Sequence, residues 1–209
     1  MKQSNIFSIS KPKGYLILAL WVFIIGVAGI FIFKDALPYF AFTEEALGRW
    51  WNYKWSLIGH ISGGLLAIAI GPFQFWKAFR TRYLAIHRMM GKVYLIAIMI
   101  GVTSATYLAW TSGLKINANW ALALQGLAFA WFVTTAMAYI SIMRKRIQQH
   151  QEWMVRSYVV TFAFITFRFL NDAPMEDLIG ISISGTSFLW FSWSVPLLIT
   201  ELILNWNKR

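Results

Sequence analysis

The sequence predicts an all-α polytopic membrane protein, a bundle of about six transmembrane helices with both termini in the cytoplasm. Three observations predict it. Of 209 residues, 58% are hydrophobic and only 13% charged, and mean hydropathy is +0.57, whereas a soluble domain of this length needs far more polar surface. The charges bunch between apolar runs of about 20 residues, the length that crosses a hydrocarbon core of ~30 Å. Lysines and arginines collect on alternate connections, as the positive-inside rule requires. The runs are continuous rather than alternating, which favours helices over a barrel.

The first run is Tyr15–Phe33, with no charge inside it. Lys2, Lys11 and Lys13 precede it, as in a signal peptide. It exceeds a ~7–15-residue signal core and no A-x-A site follows closely, so a retained span is expected. The second run is about Trp55–Trp76, where Gly71-Pro72 should kink or end the helix. The third and fourth are about Val93–Trp110 and Trp120–Met143. The fifth is about Trp153–Leu170, and the sixth about Phe188–Trp206, with a kink expected at Pro196. No Gly/Ser/Pro linker or repeat divides the chain, so residues 1–209 read as one integral membrane domain.

Orientation follows from the basic residues. Lys77, Arg80, Arg82, Arg88 and Lys92 separate the second and third runs, and Arg144, Lys145, Arg146 and Arg156 surround the fourth-to-fifth connection. Lys208 and Arg209 end the chain. The opposite side holds Lys34, Arg49, Lys54, Lys115 and Arg168 with most of the acids, Asp35, Glu44, Glu45, Asp172, Glu176 and Asp177. The net charge of +11 therefore reflects topology; no nucleic-acid module is present, and anionic lipid headgroups are the expected partner. With no cysteine in the chain, disulfides, iron–sulfur clusters and thiolate metal sites are excluded.

The longest connection, "KDALPYFAFTEEALGRWWNYKW", offers Thr43 ahead of Glu44 and Glu45 as a helix start. Its Trp50, Trp51, Tyr53 and Trp55 read first as an interfacial anchor, and alternatively as an aromatic lid. Small residues recur at packing spacing: Gly63 or Gly64, Ala67 and Gly71 on the second helix, Ala97, Gly101 and Ala105 on the third. Such stripes let helices approach closely in lipid; a slot for a flat cofactor beside His60 is the functional alternative.

Intramembrane polar groups are costly and need partners or tasks. Counting ~1.5 Å per residue sorts them into two layers. The outer layer contains His60, Gln125 and Arg168, expected to approach one another. The inner layer contains His87 and Arg88 just before the third run, His150 just before the fifth, Arg156 inside it, and Glu201 in the sixth as a partner for Arg156 or a histidine. Ser157, Thr161 and Arg168 fall near one face of the fifth run, which should look into the bundle.

"GHISGGLLAIAIGPFQF", "HRMMGKVYL" and "HQEWMVRSYVVTFAFITFR" resemble the motif set of the bacterial membrane proteins named domain of unknown function 2306. The matching residues include His60, Gly71, Pro72, Gln74, Phe75, His87, Arg88, Gly91, Tyr94, His150, Trp153, Met154, Arg156 and Arg168. The resemblance implies a multi-pass helical fold in a bacterial cytoplasmic (inner) membrane, and supplies no activity.

Three functional readings follow from the residues. The first is a b-type-cytochrome-like redox protein with haem b as cofactor. His87 and His150 would then be the iron ligands, and Arg88, Arg156 and Lys92 could hold the propionates. The second is a small-molecule, anion or proton transporter using His60, Arg156, Arg168 and Glu201. The third is a lipid-binding assembly factor. Hydrolytic signatures such as Gly-x-Ser-x-Gly, a Walker loop or His-Glu-x-x-His do not occur.

Overall fold

The computed structural model describes residues 11–174, 180 and 182–206. Lys2, Glu176, Asp177, Lys208 and Arg209, which enter the charge asymmetry, lie outside the described residues, as do the side chains of Lys11 and Lys13. Six helical segments among the described residues are long and apolar enough to cross a membrane. The first begins in α1 (Lys11–Phe31) and continues through a π-helical turn, Ile32–Ala36, and a 3-10 turn, Leu37–Ala41. A short α2 (Glu44–Leu47) follows, capped as expected by the Thr43 hydroxyl, which accepts the Ala46 N–H at 3.2 Å. A 3-10 turn, Gly48–Tyr53, leads into α3 (Lys54–Phe75). The helix ends three residues after Pro72, near the breakpoint the sequence gives.

A six-residue α4 (Lys77–Arg82) connects to α5 (Leu84–Leu108), then come α6 (Ala118–Met143), α7 (Ile147–Thr161), α8 (Ala163–Asp172) and α9 (Gly185–Asn205). In lipid the drive to associate is close packing, which small residues permit. α3 accordingly lies along α5, where a side chain on Gly63 would meet the Ala97 carbonyl oxygen and Gly101. α6 pairs with α7, and α9 packs on α6, α7 and α8. Tyr158 of α7 lays its ring where a Gly71 side chain would stand and donates its hydroxyl to the Ile68 carbonyl at 3.1 Å. α1 is peripheral, touching α8, with Phe23 edge-on to Phe169 at 6.2 Å.

Two sequence expectations need correction. α5 starts at Leu84 rather than near Val93, so His87 and Arg88 lie inside the helix, not ahead of it; His150 likewise sits in the first turns of α7. Hydropathy marks the lipid-crossing stretch, whereas a helix can continue into the headgroup region with polar side chains. The fifth run is also not one helix. It breaks at Phe162 (φ −82, ψ −1), whose N–H turns back to the Val159 carbonyl. The adjoining Thr161 hydroxyl donates to the Ser157 carbonyl four residues back, a bond that competes with the helical ladder and bends helices.

Candidate functional site

The feature with the geometry of a binding site is a cavity of about 640 Å³ in the half of the bundle beneath the Asp35–Trp50 connection. Its walls are mainly apolar, with His60, Thr161, Arg168 and Asn171 among the polar exceptions. That composition and size match ligand pockets generally. Leu47, Gly48, Arg49 and Trp50 close over it, so the connection covers the cavity as well as anchoring the interface. The aromatic-lid alternative thereby gains Trp50. Trp55, by contrast, is 73% exposed. Arg49 and Lys54 lie over the rings of Trp50 and Trp51 at 4.7 and 3.7 Å, within the range of a cation–π attraction.

His60 is held by the α3–α5 contact. Gly59 faces Ser104 and Gly63 faces Gly101, so α3 comes close enough for the imidazole to reach an α5 carbonyl. His60 Nδ1 lies 3.2 Å from the Gly101 carbonyl oxygen. A carbonyl only accepts, so Nδ1 carries the proton in this bond, and Nε2 is the nitrogen left to meet a ligand. Trp131 and Phe164 stand edge-on to the ring at 6.2 and 5.5 Å, fixing its plane. One turn along α3, Gly64 lines the same wall, and a side chain there would meet nothing within 4 Å.

Arg168 reaches the cavity from α8, beyond the break at Phe162, and its Nε lies 3.8 Å from Asp35. His60 and Arg168 are thus brought to one cavity as the sequence suggests. Gln125 is not: it accepts the Trp110 indole N–H at 2.9 Å and is not among the wall residues. Depth counting fixed its level but not its phase. The α6 residues on the wall are Trp120, Leu124, Leu127, Ala128 and Trp131, and Gln125 is turned about 100° from Leu124.

A buried ladder of hydroxyls leads inward from the cavity wall. Trp131 Nε1–H donates to Thr161 Oγ1 at 2.9 Å, Tyr94 OH lies 3.4 Å from Thr161 Oγ1 and 3.0 Å from Ser157 Oγ, and Ser157 Oγ is 2.7 Å from Thr135 Oγ1. Tyr94 and Ser157 are fully buried. Ser157 and Thr161 do face the bundle, as the helical phase predicts. Their partners Tyr94, Thr135 and Trp131 were not assigned this role from sequence, since threonines and aromatics in an apolar run give no signal of their own.

At the opposite, basic face the inner set divides in two. Arg156 is buried, and its Nε and Nη2 lie 2.7 and 2.6 Å from Glu201 Oε2, confirming that pair. The guanidinium also lies over Trp153 at 4.7 Å and is 4.0 Å from Glu152. Arg156, Trp153 and Glu201 line a surface groove with Thr134 and Trp193. His150 is elsewhere: its Nδ1–H donates to the Ala138 carbonyl at 2.8 Å. His87 has Arg80, Arg88 and His150 as its charged or ionisable neighbours. The expectation that all five residues surround one ligand therefore needs correction, because Arg156 is six residues beyond His150 on α7, about 120° round the helix.

The family model described as "Predicted membrane protein (DUF2306)" matches residues 57–204. The chain belongs to the DUF2306 family. No curated protein and no solved structure matches it. The DUF2306 region begins inside α3 and runs to the end of α9, so it takes in His60, the hydroxyl ladder and both basic-face clusters while leaving out the peripheral α1.

Proposed function

We propose that this chain is a membrane-embedded binding protein for a cofactor-sized, largely apolar ligand with an acidic end, seated between His60 and Arg168, with haem b the leading candidate. The observation that carries the reading is His60 on the wall of a 640 Å³ cavity with its Nδ1–H given to the Gly101 carbonyl. That bond orients the ring and raises the basicity of Nε2, as the outer partner of a ligating histidine does. For haem b, His60 would hold the iron and Arg168 would pair with a propionate. The iron would supply electron-transfer chemistry when bound.

The basic-face histidines give a second placement, in which His87 and His150 would hold the iron. Visible spectra of the purified protein, supplied with haem during expression, separate the two. A Soret band lost in His60→Ala and kept in His87→Ala/His150→Ala supports the cavity; the reverse assigns the basic face. A colourless wild-type protein overturns haem. The hydroxyl ladder below the cavity favours a carrier in that case, tested by proton or anion flux in liposomes.

The same reading places the basic face in the cytoplasm, against anionic headgroups of the bacterial inner membrane. A reporter active only outside the cytoplasm should be silent when fused after Arg209 and active when inserted in the Ser112–Ala118 turn. The opposite pattern would reverse the assignment.

A further inference from the structure

The connection between α3 and α5 combines three features that the cavity does not use. Gln74 is only 6% exposed, and its Nε2 is buried without a hydrogen-bond partner. Its Oε1 stands 3.5 Å from where a Gly91 side chain would begin, so the carboxamide lies across α5 one turn from His87. His87 Nδ1 is the second buried nitrogen without a partner. A buried polar group left unpaired costs about 1–3 kcal/mol, so two together at one helix end call for a hydrogen-bonding occupant.

Charge says what kind. Arg80 and Arg88 raise the positive potential at His87, and His150 is the third ionisable group whose charge acts there. Among the described residues, no ion pair joins Arg80 or Arg88 to an acid. Amide, imidazole and guanidinium nitrogens are the donor set of an oxyanion, and the two guanidiniums give it charge-assisted bonds. His150 has committed Nδ1 to Ala138, leaving Nε2 as the nitrogen that can meet a ligand.

The surroundings are those of a headgroup rather than a solvent cleft. Trp76 stacks on Phe79 at 6.2 Å and Phe79 meets Tyr83 at 5.6 Å, an aromatic belt along α4 at the end of the spans. On α5, His87, Gly91 and Tyr94 share the bundle-facing side, whereas Ile86, Met89 and Val93 are 42%, 59% and 39% exposed beside them. An acyl chain has an apolar track next to the donors.

We propose that Gln74, His87 and His150, with Arg80 and Arg88, form a discrete phosphate site that takes the phosphodiester of an anionic lipid. It rests on the reading that this face meets anionic headgroups, and is independent of what the cavity holds. Native mass spectrometry of the detergent-purified full chain, titrated with phosphatidylglycerol or phosphatidylcholine of matched chains, tests it. Phosphatidylglycerol should bind at least about tenfold more tightly. Arg80→Gln/Arg88→Gln should weaken it about thirtyfold or more, at roughly a few-fold per charge plus the lost hydrogen bonds, and Gln74→Leu should weaken it with unchanged thermal unfolding.

Arg144→Gln/Lys145→Gln removes as much charge from the same face without touching these five side chains, and should cost no more than about tenfold, the long-range charge alone. Equal losses in the two double variants, or no effect of Gln74→Leu, would overturn the site while leaving the general headgroup reading intact. No preference for phosphatidylglycerol overturns both. Inorganic phosphate that displaces the lipid supports the site, and phosphate binding as tightly as the lipid assigns it to the free anion.

Discussion

Gly64→Phe should abolish ligand binding in the cavity, by about a hundredfold or more, while leaving the fold as stable as before. Gly64 lines the cavity one turn from His60, and a side chain there has open space. A phenyl ring would occupy the volume beside the imidazole that a flat ligand needs. Removing glycine from a helix interior contributes up to about 1 kcal/mol, so the melting temperature in detergent should hold or rise. Gly63→Phe, one residue away, should do the opposite. Its side chain would run into the Ala97 carbonyl oxygen and Gly101, and overpacking of that kind costs about 1–3 kcal/mol or more. Thermal unfolding and ligand titration of the two variants separate a stripe used for packing from a position used for binding.

Arg156→Ala should be the most destabilising single change at the basic face, by about 3 kcal/mol, the lower end for breaking a buried pair. Both donor nitrogens converge on one Glu201 oxygen, and the Arg156 side chain is 8% exposed. Glu201 is 49% exposed, which keeps the loss from being larger. Asn205 also donates to both the Glu201 carboxylate and its backbone carbonyl, so the acid keeps a hydrogen bond when the arginine goes. Arg156→Lys should recover only part, since an ammonium lacks the planar fork and its stacking on Trp153. Arg156→Met/Glu201→Met should cost less than Arg156→Met alone, because removing both charges leaves none stranded; with Glu201→Met and the wild type these make a complete cycle. Unfolding in detergent across the four proteins gives the coupling directly.

The sequence made the six spans legible because hydropathy acts through the bilayer itself, independently of how the helices pack. It also made Arg156 and Glu201 legible as partners, since two opposite charges at one level of an apolar bundle have few other solutions. What it left hidden depends on rotation and on local breaks. Gln125 shares a level with His60 but faces Trp110, because depth counting carries no phase. The break at Phe162 has no proline or glycine to announce it, yet it sets where α8 carries Arg168. Gln74 and Gly91 were visible only as matching motif letters; their meeting across α3 and α5 is a tertiary fact.

A ligand held in the cavity against His60 should survive purification and be seen as added mass. The most direct measurement is native mass spectrometry of wild-type protein released in mild detergent from the membrane in which it was made, beside Gly64→Phe. The wild type should carry a discrete non-lipid mass that Gly64→Phe lacks and that His60→Ala loses more readily on activation. Identical mass spectra for wild type and Gly64→Phe, with no such adduct in either, would contradict it.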